Sequence, residues 1–226
     1  MKYEYKGIPC DSDEEIMLLM LLFELQDEGF IKRIERSETI ILSDSFVLEK
    51  QEEKILKTKT KTLIKNINVL EQHVYTPEFK VTWDNAKVES NPEMFFVNEF
   101  ILSAGTTVKN ENKKEKNSLL LENIKQNRCF FVTKMINIVK TEIQYVSYFE
   151  VKPEYDKHNM TRLFQINRKW VYDKYKIIIN FFQPYKWFEK NFTPNAYLKT
   201  DKGRLRKINW EIKTFYTYLK ELKNGN

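Results

Sequence analysis

Ile16 to Phe23 is an unbroken run of eight apolar residues, flanked by Asp11-Ser12-Asp13 on one side and Gly29 on the other. Ser12 and Glu15 fit the S-x-x-E capping box, and glycine is the usual residue just past a helix end. The run therefore predicts a helix over 11–29 that is apolar all round, and so largely buried rather than amphipathic. Such a helix needs a sizeable core around it. The 226 residues, 42% hydrophobic, supply one and suit a single domain with elaborations. Eight apolar residues fall far short of the roughly 18 needed to span a bilayer. Met1-Lys2-Tyr3-Glu4 is polar at once, unlike a signal peptide. The expectation is a soluble, cytoplasmic protein with no membrane partner.

Strands follow the helix between Ile31 and Leu48, with Glu38 to Leu42 the clearest. Lys57 to Thr62 alternates Lys and Thr at the strand period, which predicts an exposed edge or an extended hairpin arm. Val69 to Trp83 reads as two short strands broken at Pro77, and Lys109 to Asn117 as a loop. A short helix is expected near Leu119–Asn127, then paired strands over Cys129–Val139 and Ile143–Val151. His158 to Lys174 predicts a helix with Leu163, Ile166, Trp170 and Val171 on one flank. Ile177–Phe182 reads as a buried strand. Ile208, Ile212, Phe215, Leu219 and Leu222 recur at helical spacing and predict a closing helix. The order of elements is that of a mixed α/β domain.

Two cysteines, Cys10 and Cys129, make neither a disulfide framework nor a metal knuckle; they are expected in a loop and in the core respectively. Two histidines, His73 and His158, exclude a His-rich metal site. Any metal must then be held by carboxylates, which favours magnesium or manganese. Charge is unevenly spread. Residues 157–226 hold 16 Lys/Arg against 5 Asp/Glu, whereas residues 1–156 hold 22 against 27. A basic C-terminal third on an acidic remainder is either an electrostatic footprint for phosphates or a solvated surface.

Two segments carry candidate chemistry: Tyr75-Thr76-Pro77-Glu78-Phe79 and Phe149-Glu150-Val151-Lys152-Pro153. On a strand, Glu150 and Lys152 share a face, and Glu78 opens another strand after a proline. Two carboxylates and a lysine meeting on adjacent strands can hydrolyse a phosphodiester. The carboxylates hold a divalent cation that polarises the phosphate and acidifies water, and the lysine orients that water or offsets developing charge.

This pattern resembles the PD-(D/E)XK nuclease superfamily. Pro77-Glu78 stands for its PD element, with Glu in place of the commoner Asp, and Glu150-Val151-Lys152 is an intact (D/E)XK element. The opening helix with Glu15, its closing Gly29 and the following strand fit the family layout, as do the basic helix and core strand after Lys152. The likeness covers about residues 5–48, 68–83 and 143–182. It looks closest to phage endonucleases of the Holliday-junction-resolvase type, while Tyr75–Phe79 also looks like the end-cleaving subunit of heteromeric transposases.

The resemblance implies a restriction-endonuclease-like core, a central mixed sheet flanked by helices, in one domain over 1–226. It implies a Mg²⁺-dependent endonuclease (Mn²⁺ substituting) acting on DNA, with branched or recombination-related DNA the expected substrate, as a homodimer, in the host cytoplasm if phage-encoded. Glu78, Glu150, Lys152 and Glu15 are the implied catalytic set, and Glu78, Glu150 and Val151 the implied metal ligands. Arg162, Arg168, Lys169, Lys202, Arg204, Arg206 and Lys207 are the candidate DNA contacts, or else wet surface. Glu15 is equally explained as a helix cap. Glu24, about 180° round the same helix, cannot serve the same site. Tyr172, Tyr175, Tyr185, Trp187 and Phe188 either stack on bases or pack in the core. Seventy-one residues separate Glu78 from Glu150, far more than the family's short hairpin. The chain is thus expected to carry an insertion over about 84–140 and a basic extension over about 183–226. The rival readings are a transposase-type DNA end-cleaving nuclease and a non-catalytic DNA-binding or virion protein on the same fold.

Overall fold

The computed structural model describes residues 3–56, 59–102, 118–137, 142–154 and 160–224. The chain divides into two compact units, Met1–Glu38 with Pro77–Asn226, and Thr39–Thr76.

In the larger unit the chain opens with a hairpin, β1 (Tyr3–Tyr5) and β2 (Ile8–Cys10). Its turn, Lys6-Gly7, has positive φ at both residues, the type I′ geometry that matches strand twist. Helix α1 (Asp13–Asp27) follows, with Ser12 Oγ accepting the Glu15 amide at 3.2 Å. It ends in a Schellman motif. Gly29 takes φ +76°, its amide donates to the Gln26 carbonyl, and the Phe30 amide donates to the Leu25 carbonyl. Met17 to Leu22 and Leu25 are all buried, as an all-round apolar helix requires.

The other strands of this unit are β3 (Ile31–Arg36), β8 (Phe79–Trp83), β9 (Phe95–Leu102), β10 (Phe130–Asn137), β11 (Glu142–Val151) and β12 (Ile179–Phe182). The intervening labels belong to the smaller unit: β4 (Ile40–Ser43), β5 (Phe46–Leu56), β6 (Lys59–Leu70) and β7 (His73–Tyr75). The central six-stranded sheet runs β3-β8-β11-β10-β9, with β12 also on β11. It is mixed: β9 is parallel to β10 and β12 to β11, the other pairs antiparallel. Helices α2 (Asn85–Ser90), α3 (Ser118–Lys125), α4 (Met160–Tyr175), α5 (Pro184–Lys190) and α6 (Phe215–Asn224) complete the unit.

Strand β11 carries two neighbours on one side: β10 along its first half and β12 along its second. Asn180 of β12 joins them. Its Oδ1 accepts the Phe131 amide at 2.8 Å, and its Nδ2 donates to the carbonyls of Phe131 (2.8 Å) and Tyr148 (3.1 Å). A side-chain amide thus stands in for backbone pairing where the ladder changes partner, as buried peptide groups require.

Several expectations change. The segment between the two motifs supplies β9 and β10 and so is built into the sheet. The basic C-terminal stretch supplies Trp187, Phe188, Phe192, Tyr197, Phe215, Tyr218 and Leu222 to the core, so it is part of the packed body. The buried face of α4 is Phe164, Asn167 and Val171, whereas Leu163, Ile166 and Trp170 point outward at 50%, 49% and 42% exposure. The last helix begins only at Phe215. Thr214 caps it through Oγ1 to the Thr217 amide, and Ile212 is exposed. Cys10 is buried rather than in a loop, and Cys129 is buried as expected. In the smaller unit β4 pairs β7, and β5 pairs β6 over almost their whole length, the extended hairpin that the Lys/Thr alternation predicts. The expected loop at 109–117, together with Lys57, Thr58 and His158, lies outside the described residues. Among the described residues no helix is long and apolar enough to cross a membrane.

Candidate functional site

The site is built where β8 begins and β11 ends. The β8–β11 register pairs Phe79 with Phe149. One step further, the same register sets Glu78 opposite Glu150, and the Glu78 amide donates to the Phe149 carbonyl at 2.9 Å. Pro77 stops β8 from extending as a regular strand, which leaves Glu78 at its lip. Glu150 is buried at 5% exposure because β11 is covered by neighbours on both sides. Lys152 follows on the same face, its Nζ 2.5 Å from Glu150 Oε1, both side chains largely buried. Val151 between them turns its side chain into the core. Only its main chain can serve the site. Its carbonyl points the same way as that of Phe149, past the last pair of the β8–β11 ladder.

Glu15 arrives from the first turn of α1. Ser12 Oγ caps its amide, while its carboxylate takes the Asp11 amide in place of the Ser12 amide of a full capping box and stands in the cluster. The buried carboxylate accepts the Asp11 amide (3.2 Å) and Arg36 Nη1 (2.6 Å). Arg36, at the end of β3, ties the group together. The same Nη1 lies 3.6 Å from Glu78 Oε2, its Nη2 donates to Asp11 at 3.1 Å, and the guanidinium sits over the Phe79 ring at 5.0 Å. Glu78 bears the electrostatic cost. Burial first, then the charges of Glu15 and Glu150, push its carboxyl up to about 7, against the opposing pull of Arg36 and Lys152. Two cations do not fully compensate three crowded carboxylates.

A second polar group lies along the same strands. Lys80, two residues beyond Glu78, bonds Glu38 at 2.8 Å, and the buried Tyr148, two before Glu150, donates to the same Glu38 oxygen at 3.0 Å. Burial and the Glu38 charge raise the Tyr148 phenol well above its usual range. No protein-family model, curated protein or solved structure matches the chain. The site is therefore read from its own chemistry.

The structure brings Glu15, Glu78, Glu150 and Lys152 together and adds Arg36 and Asp11, which sequence reasoning missed. Strand alternation outward from Glu78 and Glu150 was the signal that could have found Lys80 and Tyr148. Nothing in the sequence marks Arg36. Among the described residues no three or more His, Cys, Asp or Glu side chains are grouped so as to hold a metal ion. What fits a hard divalent ion is the donor set: oxygen ligands only, with uncompensated negative charge that a cation would relieve. Glu24 lies elsewhere, accepting the Asn195 amide at 2.6 Å.

The candidate DNA contacts spread over two places. On α4, Arg162 and Lys169 are exposed, while Arg168 is half-buried with its guanidinium 5.6 Å from the Phe131 ring centre. Lys202 and Arg204 flank Gly203 in a tight turn closed by the Lys199–Leu205 bridge. Arg206 lies on the Tyr197 ring at 4.9 Å, and Lys207 is exposed. Of the aromatics, Trp187 and Phe188 belong to the core, whereas Tyr172 and Tyr185 are exposed at 39% and 40%.

Proposed function

We propose that the protein is a Mg²⁺-dependent endodeoxyribonuclease of the PD-(D/E)XK kind, acting on DNA, and on branched or recombination intermediates by its resemblance to resolvase-type phage enzymes. The observation that carries this reading is the register pairing of Glu78 with Glu150, beside Lys152 and with Glu15 close by. Glu78, Glu150 and the Val151 carbonyl would hold the cation. When bound, the ion polarises the scissile phosphate and lowers the pKa of attacking water. Glu150 holds Lys152 by their ion pair, so the ammonium is positioned to orient water or to offset charge growing on the phosphate. Glu15 acts through Arg36, fixing Glu78 from the helix side. Dispersed basic groups on α4 and around Gly203 bind the DNA backbone.

One observation favours the non-catalytic reading: Arg36 already bridges Glu15 and Glu78, as a structural ion-pair cluster would. A cleavage panel of duplex, nicked, flapped, three-way and four-way DNA with Mg²⁺ or Mn²⁺ decides between them. The nuclease should cut at least one substrate, lose cutting in excess EDTA, and lose it in Glu150→Ala and Lys152→Ala without losing DNA binding. Undiminished cutting in either variant, or cutting in EDTA, refutes the mechanism. DNA binding with no cutting on any substrate supports the rival.

A further inference from the structure

A cleft of about 540 Å³ opens where β11 and β12 end, a volume within the range of ligand sites. The backbone fixes its place. The Lys152 amide donates to the Phe182 carbonyl at 3.0 Å, and Gln183 Nε2 donates to the Pro153 carbonyl at 3.1 Å. The two strands therefore stay joined up to the first turn of α5. Glu154 lies two residues past Lys152, so its Cα is within about 7 Å of that of the lysine. It forms one wall of the cleft, and Tyr185 of α5 forms another.

Three aromatic rings shape the interior. Tyr197 is buried, with the Arg206 guanidinium over its ring at 4.9 Å. Trp210 lies nearly parallel to Tyr197, at 12°, and its Nε1 donates to Thr193 Oγ1 at 3.0 Å. Tyr185 stands edge-on to Tyr197, at 81°, and is 40% exposed. A ring held by a helix and open to solvent on the rim of a cleft can stack a nucleobase, whatever its sequence.

The polar lining suits the same occupant. Lys186 and Lys207 are matched by Glu154 and Glu189, so a bare phosphate gains little net attraction there. A nucleobase is flat and neutral, and its edge carries both donors and acceptors. The lysines can donate to that edge, the carboxylates can accept from an exocyclic amine, and the Asn209 amide can do either. A paired base inside a duplex hides its faces in the stack, so only an unpaired or extruded one can enter. Lys202 and Arg204, exposed on the turn that leads into Lys207, offer positive charge to the flanking phosphates.

We propose that this cleft binds an unpaired base of the DNA substrate, stacked on Tyr185, close to the Glu78, Glu150 and Lys152 cluster. The proposal rests on the nuclease reading and narrows its substrate to DNA with an unpaired nucleotide near the cut.

The test measures binding of the full chain by anisotropy in EDTA. One probe is a labelled duplex, and the other is the same duplex with a single extra, unpaired adenine. Wild type should bind the bulged duplex at least about five-fold more tightly, the lower end of what stacking one base contributes. Tyr185→Ala should lose that preference, while Tyr185→Phe keeps the ring and should keep it. Tyr185→Leu retains the bulk without the ring and should lose the preference too, which covers the case in which thermal unfolding shows the alanine variant to be misfolded.

Equal affinity of wild type for the two duplexes overturns the proposal, as does failure to bind either at low salt. An undiminished preference in the leucine variant, or its loss in the phenylalanine variant, overturns stacking on Tyr185. If wild type prefers the bulge but cuts no DNA with Mg²⁺ or Mn²⁺, the base site stands and the nuclease reading falls. If it cuts DNA but binds both duplexes alike, the nuclease reading stands and the base site falls.

Discussion

Glu78 should be a residue whose removal stabilises the protein. Its carboxyl is raised from 4.5 to about 7, so between those values the folded state holds more protons than the unfolded one. Stability then falls as pH rises through that window. At 1.36 kcal/mol per unit the penalty is about 3 kcal/mol above pH 7. The side chain is 24% exposed, so solvent screening reduces this to about 2 kcal/mol. Glu78→Gln keeps the shape and removes the charge. In EDTA at pH 8 it should therefore be about 2 kcal/mol more stable than wild type, which for a chain of this size raises Tm by about 4–8 °C. At pH 4.5 the wild-type carboxyl is already protonated in the folded state, so the gain should vanish. Urea unfolding of both proteins at the two pH values reads this directly. A Glu78→Gln variant less stable than wild type at pH 8, or equally shifted at both, refutes the picture of crowded carboxylates.

Arg36→Met removes the cation that Glu15, Glu78 and Asp11 share. With Arg36 32% exposed, it should cost about 2–3 kcal/mol in EDTA, less than breaking a fully buried ion pair, and millimolar Mg²⁺ should restore more stability to it than to wild type; equal Mg²⁺ shifts in Tm would argue that the cluster does not hold a cation. Asn180→Ala leaves the Phe131 amide without its acceptor, while the Phe131 carbonyl keeps Ser147 Oγ at 2.7 Å, and should cost about 1–3 kcal/mol in urea unfolding, whereas a loss under about 0.5 kcal/mol would show that β10 and β12 do not depend on that joint. Replacing Arg204, Arg206 and Lys207 with Ala should flatten the salt dependence of DNA binding, read by anisotropy, while leaving the chemical step at saturating DNA almost unchanged.

The parts of the fold legible in sequence were those specified by local pattern. Ser12, Glu15 and Gly29 mark both ends of α1, and the Lys/Thr alternation marks β6, because caps and strand periodicity are written within a few residues. The facing of α4 was not legible. Val171 is buried as expected, but Phe164 and Asn167 sit one position on from Leu163 and Ile166, and only packing against the sheet, where Phe164 stacks on Phe181 at 5.2 Å, chooses between the two neighbouring stripes. The helical spacing from Ile208 misled because Thr214 caps the helix seven residues into that repeat. At the site, the acidic and lysine positions were readable from two short motifs, but their convergence is a matter of register between strands 71 residues apart in sequence. Arg36 was invisible for the same reason: its partners come from α1 and β8, and no local spacing relates them.

The closure of the core has a consequence for synthesis. Phe30, just after α1, packs edge-on against Phe215 at 5.2 Å, and Tyr216 donates to Glu28 at 2.6 Å. The turn that closes the first helix is therefore not tied down until α6 has been made nearly 190 residues later, although β3 packs on the helix itself as soon as it follows. At typical elongation rates that is roughly 10–40 s during which Phe30 lacks its Phe215 neighbour. A nascent chain of this kind should lean on chaperones until translation passes residue 222, when the last residue of the apolar core, Leu222, has been made.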